Sequence, residues 1–317
     1  MKKITIYLTI FLLLVPYVIF AQQEPMYGQY YFNNAVINPA QAGSEGIHHF
    51  GVLVRNQWVG IDGAPRTVSA YANLRFPGQL GLAIGIYQDK LGAEENLHFQ
   101  TDLAYHARIS ENWNLAGGIR ITGSHMRANL SEVPNVDPRN PNFMTDYTSG
   151  VKISTGAGFL AYSNKTYFGL SIPQAFRYQV SFPTSGNIDF RKKEILYAFA
   201  YGGTNIQLSD KLLLTPSTLL KYSDAPLQID LNALFGYGDI ISFGPFIRSN
   251  IVEKNKVLDA MGFLIGVHFF DNWHLGYFYE YPLSDLRNAT MQTHEISLRF
   301  FWNKKQEAVI RSPRYFM

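Results

Sequence analysis

The amino-acid sequence predicts an all-β protein: a transmembrane, antiparallel, up-and-down β-barrel of about 14 strands, within a range of 12 to 16. Three observations predict this fold. A signal sequence opens the chain, segments of roughly 10 residues alternate between apolar and polar side chains, and short polar turns join these segments in pairs. One barrel of this size occupies residues 48–302 and leaves no room for a second domain.

The first 21 residues have the organisation of a signal peptide. Met1-Lys2-Lys3 is positively charged, residues 4–20 are apolar, and we expect cleavage after about Ala21. The alternative is an uncleaved anchor helix, because the apolar run reaches the lower edge of the length that spans a bilayer. No later segment is continuously apolar over about 18 residues, so any further crossing of the membrane must use strands.

Residues 22–47 lack strand alternation and are interrupted by residues that favour turns, such as those in Ile37-Asn38-Pro39-Ala40. We expect a folded, plug-like periplasmic leader inside or beneath the barrel.

The strands follow this leader, and their alternation indicates which face meets lipid. Between Leu97 and Tyr105, apolar side chains share one face, whereas His98, Gln100 and Asp102 share the other. A charged side chain facing lipid at the midplane costs about 2 to 4 kcal/mol, so the polar face must line the lumen. The predicted strands lie near residues 48–56, 66–75, 79–88, 95–108, 113–123, 151–162, 165–172, 195–207, 211–222, 226–236, 239–248, 258–269, 273–280 and 293–302.

Short and long connections alternate along the chain. The short turns lie at residues 76–79, 110–112, 163–165, 208–211, 236–239 and 270–272, and the longer connections at 123–150, 173–194, 249–257 and 281–292. In a barrel with both termini in the periplasm, short turns are periplasmic and long loops are extracellular, which is the order seen here.

Composition narrows the function classes. The chain has no cysteine, so disulfides, thiolate catalysis and thiolate metal sites are excluded. The net charge of +3 is small and scattered, which argues against nucleic-acid binding. Aromatic residues make up 15% of the chain, which is typical of a barrel with two interfacial girdles. A soluble β-sandwich or propeller is also Tyr-rich, but it requires neither the signal peptide nor the alternating turn lengths.

No catalytic constellation emerges from the sequence. His98, Asp102 and His106 share the inward face of one strand, but positions four residues apart on a strand are separated by about 13 Å. That separation is too large for one acid/base unit or one metal ion. We therefore expect no catalytic residue, no cofactor and no metal, and interpret these side chains as lumen polarity.

The mature chain resembles the PorP/SprF family of the type IX secretion system. The leader motif around Gln29-Tyr30-Tyr31-Phe32-Asn33, the block that begins at Arg55 and the late motifs near Asp285 and His294 carry the resemblance. We treat the following as candidate partner-contact or family-motif residues: Asn38, Pro39, Ala40, Gly43, Arg55, Asn56, Gln57, Trp58, Gly60, Asp62, Gly63, Pro65, Asp285, Leu286, Arg287, His294 and Glu295.

The resemblance implies a non-enzymatic outer-membrane barrel of Bacteroidota. Members support secretion or surface attachment of a cargo protein such as an adhesin, with a part in gliding motility in some relatives. The implied partners are outer-membrane lipid, the secretion machinery and the secreted cargo. The alternative function is an outer-membrane transporter or porin for a small or hydrophobic solute, with the leader as its plug. Residues 303–317 follow the last strand and form either a periplasmic handle or a disordered tail.

Overall fold

The computed structural model describes residues 27–132, 146–175, 179–182, 190–193, 196–223, 227–238, 240–252, 255–270, 272–283 and 292–302. These residues form eighteen strands, numbered here in chain order. They are β1 (His48–Asn56), β2 (Arg66–Arg75), β3 (Leu80–Leu91), β4 (Glu94–Arg108), β5 (Asn114–Ala128), β6 (Tyr147–Thr148), β7 (Lys152–Tyr162), β8 (Thr166–Ile172), β9 (Gln179–Phe182), β10 (Phe190–Lys193), β11 (Ala198–Thr204), β12 (Ile206–Ser209), β13 (Leu212–Tyr222), β14 (Leu227–Tyr237), β15 (Ile241–Val252), β16 (Asn255–Phe269), β17 (Trp273–Pro282) and β18 (Thr293–Trp302).

The strands close into an antiparallel barrel. β1 pairs with both β2 and β18, and β11 pairs with both β8 and β13, so the sheet has no free edge in this circuit. β12 continues the line of β11 along β13, so β11 and β12 together occupy one strand position of the barrel. The barrel therefore has fourteen strand positions, and the predicted fold is confirmed. β6 is a short addition to β5, and β9 pairs with β10 as a separate hairpin. No helix among the described residues is long and apolar enough to cross a membrane.

The two faces of the wall are divided as the alternation predicts. On β5, the side chains of Leu115, Ile119 and Ile121 point outward and are exposed, whereas Gly118 and Arg120 point inward and are buried. An exposed apolar band around a closed barrel is the surface that a bilayer covers. The buried polar side chains therefore belong to the lumen.

The barrel has a turn end and a loop end. The turn end carries His48 and Trp302, the first and last strand residues, together with the connections at residues 76–79, 109–113, 163–165, 210–211, 238–240 and 270–272. The loop end carries residues 57–65 between β1 and β2 and residues 92–93 between β3 and β4.

The prediction of a longer connection at 249–257 is wrong. β15 continues to Val252 and β16 begins at Asn255, while residues 92–93 alone join β3 to β4. Polar residues interrupt the apolar alternation there, but the backbone ladder continues past the apolar band because its hydrogen bonds do not depend on side-chain polarity.

The first described segment, Tyr27–Ile47, lies inside the barrel and is called the plug here. It contains three short 3₁₀ helices, Gly28–Tyr31, Asn34–Val36 and Pro39–Gln41. Almost every side chain of the plug is buried, and Asn38, Ala40 and Ala42 are fully buried. The plug therefore forms the core of the barrel.

Inward-facing glycines let the plug approach the wall at backbone distance. A Cβ on Gly118 would lie 2.4 Å from the nitrogen of Ala40, and one on Gly81 would lie 1.9 Å from the carbonyl oxygen of Ala42. Both neighbours are backbone atoms, which cannot move aside as a flexible side chain can. The small residues of β3 and β5 thus determine where the plug fits.

We expect Gly118→Val to destabilise the folded protein by about 1 to 3 kcal/mol, because the added side chain overpacks the contact with the plug. Gly117→Val is the matched control, since a Cβ there meets only Phe159 at 3.9 Å and points outward. The measurement is urea unfolding followed by the shift in gel migration between folded and unfolded barrel. Equal stability of the two variants would contradict the proposed fit.

Candidate functional site: the plugged lumen

The plug runs down the lumen from the loop end to the turn end. Its first residues contact Glu295, three residues into β18 from the loop end. Its last residues contact the turn end, where the amide of Gly43 donates a 2.6 Å hydrogen bond to the side-chain oxygen of Asn73. The plug thus spans most of the height of the barrel before it enters β1.

Near the loop end, five charged side chains on β14, β15, β17, β18 and β1 form one buried network. Arg248 bonds Asp230 at 2.9 Å and Glu280 at 2.8 Å. Arg55 lies 3.9 Å from Glu280 and also pairs with Glu295. Three carboxylates therefore share two guanidinium groups, and the protein interior must supply further hydrogen-bond donors.

The plug supplies those donors. The backbone amides of Gly28 and Gln29 donate to the two carboxylate oxygens of Glu295 at 2.6 and 2.9 Å. Glu295 is fully buried, so its negative charge depends on Arg55 and on these two amides. This contact, called the Glu295 latch here, couples the start of the plug to the charge network of the wall.

A second buried ion pair holds the middle of the plug. Arg120 donates to both carboxylate oxygens of Asp102, at 2.6 and 2.7 Å. The same guanidinium group donates to the carbonyl oxygens of Val36, at 2.8 Å, and Ala35. The bidentate pair leaves the remaining donors of Arg120 aimed at the plug, a geometry that suits arginine and not lysine.

Asn38 ties the third 3₁₀ helix to the wall at β7 and β11. Its side-chain oxygen accepts from the amide of Ala40 at 2.9 Å, which caps the helix. Its side-chain amide donates to the carbonyl oxygen of Phe159 at 2.9 Å and lies 3.0 Å from the phenol oxygen of Tyr201. One side chain thus shapes the plug and attaches it to β7 and β11.

Two of the three inward-facing histidine and aspartate residues of β4 help to hold the plug, His106 directly and Asp102 through Arg120. The imidazole of His106 lies 2.7 Å from the carbonyl oxygen of Ala42 and 2.9 Å from the phenol oxygen of Tyr162. Asp102 is engaged by Arg120, and His98 stacks on Tyr87 with ring centroids 4.4 Å apart. The three side chains therefore have separate partners. Within the described residues, no group of three or more histidine or acidic side chains is arranged to hold a metal ion.

The candidate residues fall into two groups in space. The first group is buried in the lumen, where it forms or holds the plug: Asn38, Pro39, Ala40, Gly43, Arg55 and Glu295. The second group lies at the loop end: Asn56, Gln57, Trp58, Gly60, Asp62, Gly63 and Pro65. Four residues of this second group are exposed, namely Asn56, Gly60, Asp62 and Gly63. His294 is the second residue of β18, and its ring lies 2.8 Å from the phenol oxygen of Tyr277. Asp285, Leu286 and Arg287 lie outside the described residues.

The connection of residues 57–65, called the first loop here, is held by backbone hydrogen bonds. The amide of Gln57 donates to the carbonyl of Pro65 at 2.9 Å, and that of Val59 donates to the carbonyl of Gln292 at 2.9 Å. Gly60 and Gly63 adopt positive φ angles of 98° and 73°, which explains the glycines of this block. The first loop is therefore a folded surface attached to its neighbours.

Arg248 and Glu280 belong to the charge network but are absent from the candidate residues chosen by sequence. Arg248 follows Phe246 and Ile247, and Glu280 lies between Tyr279 and Tyr281, so each is a charged residue in an otherwise apolar or aromatic segment. A charged residue in such a segment indicates a side chain that faces the lumen. This pattern does not give the register that brings Arg248 to Glu280 and Glu280 to Arg55.

The fold and the site define a class: a closed outer-membrane-type β-barrel whose lumen is filled by its own N-terminal segment. Within that class, the chain belongs to the family described as "Type IX secretion system membrane protein PorP/SprF", whose family model matches residues 19–300. The resemblance predicted from the motifs is confirmed. The family and the fold are those of a membrane component of secretion or transport located in the outer membrane.

The similarity to one solved structure, the CymD channel, supports the fold. The chain is similar to the CymD monoaromatic hydrocarbon channel, with 11% identity, a TM-score of 0.51, and coverage of 85% of this chain and 92% of that one. It also matches a Pseudomonas aeruginosa FadL homologue, with 9% identity, a TM-score of 0.49 and coverage of 83% and 92%. The Pseudomonas putida toluene transporter TodX matches at 8% identity, with a TM-score of 0.47 and coverage of 84% and 91%. A comparison with curated protein sequences gave no match.

We expect Glu295→Gln to weaken the latch by about 3 to 5 kcal/mol, because it leaves a buried guanidinium group short of its counter-charge and one plug amide without an acceptor. The measurement is hydrogen exchange of the amides of Gly28 and Gln29, which should become at least about 100-fold faster. Glu111→Gln is the matched control, since Glu111 is exposed in the turn between β4 and β5. Unchanged protection of both amides in Glu295→Gln would show that the latch does not hold the plug.

Proposed function

We propose that the protein is a non-enzymatic outer-membrane component of the type IX secretion system that supports secretion or cell-surface attachment of a cargo protein such as an adhesin. In relatives that glide, the same role serves motility. The observation that carries the proposal is the plugged lumen, together with membership of the PorP/SprF family. A barrel filled in this way serves better as a membrane anchor than as a passage.

The attachment of the plug along its whole length supports an anchoring role. Glu295 holds its start, Arg120 its middle, and Asn73 its end. To open a passage, the plug would have to give up its hydrogen bonds to Glu295, Arg120 and Asn73 at the same time, and each lost bond to a buried polar group costs free energy. A folded cargo domain is also far wider than a 14-stranded lumen, so contact with cargo belongs to the exposed ends of the barrel.

We place the loop end outside the cell and the turn end in the periplasm, by analogy with bacterial barrels of this kind. In that orientation, the exposed Asn56 at the end of β1 and the half-buried Trp58 and exposed Asp62 of the first loop lie at the exterior, as the candidate contact for cargo. Its backbone hydrogen bonds to Pro65 and Gln292 hold it in one conformation, which reduces the entropy lost on binding.

Residues 303–317 follow β18 at the turn end and are the candidate handle for periplasmic machinery.

A transporter for a small or hydrophobic solute is the second candidate. It is favoured by the fold shared with the CymD monoaromatic hydrocarbon channel and by a cavity between plug and wall lined by residues such as Tyr27, Tyr87, Tyr197 and Lys221. Transport would require the plug to move. The two functions therefore differ in whether deletion of the protein abolishes solute uptake or removes a surface protein.

We expect Asn56→Ala/Trp58→Ala to reduce recovery of a large secreted protein or of envelope-spanning machinery with the affinity-tagged barrel. The expected reduction is at least about tenfold, because a tryptophan at the centre of an interface contributes about 2 kcal/mol or more. The measurement is quantitative mass spectrometry of partners recovered from solubilised outer membrane.

The matched control is Asn112→Ala/Trp113→Ala, which removes the same residue types from an exposed turn at the opposite end of the barrel. Equal loss of partners in both variants would point to general destabilisation, and undiminished recovery in Asn56→Ala/Trp58→Ala would refute the role of the first loop. A wild-type barrel without protein partners, in cells that lose solute uptake on deletion, would favour the transporter.

A further inference from the structure

A row of cations crosses the outer surface of β2 to β5 near the loop end. Arg66 lies directly opposite Lys90, Lys90 lies opposite Glu95, and Glu95 lies opposite Arg127. The side chains of Arg66, Lys90 and Arg127 are exposed, and these three residues are called the basic row here. The carboxylate of Glu95 accepts a hydrogen bond from the side-chain amide of Gln88. Within the part of the chain that the structure describes, no ion pair joins the basic row to a carboxylate.

The basic row faces away from the lumen. Thr67 and Asp89, the chain neighbours of Arg66 and Lys90, point inward, are buried, and share a 2.6 Å hydrogen bond. Because successive residues of a strand point to opposite faces, Arg66 and Lys90 project from the outer surface. Val68 on β2 points the same way and is 41% exposed. The cations therefore stand on the same face as the apolar band.

The height of the basic row matches the edge of that band. Leu80 begins the outward-facing apolar series of β3, which continues through Ile84 and Ile86 before Lys90. Lys90 lies ten residues after Leu80. At a rise of about 3.3 Å per residue, on a strand tilted by about 40°, this corresponds to a height of about 25 Å along the barrel axis. This is the height of the apolar band of an outer-membrane barrel, so Lys90 lies at the interface where lipid headgroups begin.

We propose that the basic row binds the phosphate groups of lipid A in the leaflet at the loop end. Arginine and lysine are the side chains that recognise phosphate, and three cations beside one carboxylate give the surface a net positive charge. Neighbouring strands are about 4.8 Å apart, so the row extends about 14 Å from Arg66 to Arg127 and can meet two phosphates of one headgroup. The apolar side chains beneath the row accommodate acyl chains.

This inference rests on the proposed orientation, in which the loop end faces the exterior. It concerns a lipid and involves neither the first loop nor a cargo protein. Failure of the lipid contact would therefore leave the secretion role intact, and failure of cargo recovery would leave the lipid contact intact.

The experiment is native mass spectrometry of the full-length mature protein, purified in detergent and titrated with diphosphorylated lipid A. The test variant is Lys90→Gln/Arg127→Gln. The matched control is Lys165→Gln/Lys211→Gln, which removes two exposed cations from the turn end.

We expect the apparent Kd to rise about tenfold or more in the test variant and less than about twofold in the control. Dephosphorylated lipid A should bind the wild type as weakly as lipid A binds the test variant, and excess inorganic phosphate should not displace lipid A.

Three results would overturn the proposal. One is unchanged affinity in Lys90→Gln/Arg127→Gln, and another is equal weakening in the control, which would indicate attraction to cations anywhere on the barrel. The third is tighter binding of phosphatidylglycerol than of lipid A, since this would assign the basic row to the other leaflet.

Discussion

A fully buried carboxylate, Glu295, lies where the barrel wall meets the plug, and the rest of the lumen depends on how its charge is satisfied. Arg55 provides a counter-charge from β1, the strand next to Glu295 in the closed sheet. The backbone amides of Gly28 and Gln29 provide the remaining donors. Barrel closure, the wall network and the position of the plug are thus energetically linked, because removal of any one of them deprives the buried Glu295 carboxylate of a counter-charge or of hydrogen-bond donors.

This linkage explains why the motif residues serve two purposes. The block that begins at Arg55 has its first residue in the lumen, as part of the latch, and its later residues in the exposed first loop. The first loop in turn bonds to Gln292, just before β18 and three residues from Glu295. A short stretch of sequence therefore connects the filled interior to the surface proposed for cargo contact, and a rigid interior supports a rigid surface.

Much of the fold was predictable from the sequence because the alternation of apolar and polar residues reports directly on the two faces of a strand. The outward Leu115 and inward Arg120 of β5 illustrate this relation. The partners of Arg120, Arg55 and Glu295 were not predictable, since they depend on strand register and on contacts between residues more than 80 positions apart in the chain. The strand ends at Val252 and Asn255 were missed because a backbone ladder can extend beyond the apolar alternation.

Ion flux tests most directly whether the plug seals the lumen. The wild-type protein would be reconstituted into liposomes, its incorporation verified by flotation, and efflux of a trapped small ion followed after a salt gradient is applied. The latch and its accompanying bonds predict efflux no faster than that of protein-free liposomes. Rapid efflux in proportion to the amount of incorporated protein would contradict a sealed lumen and favour a passage through the barrel.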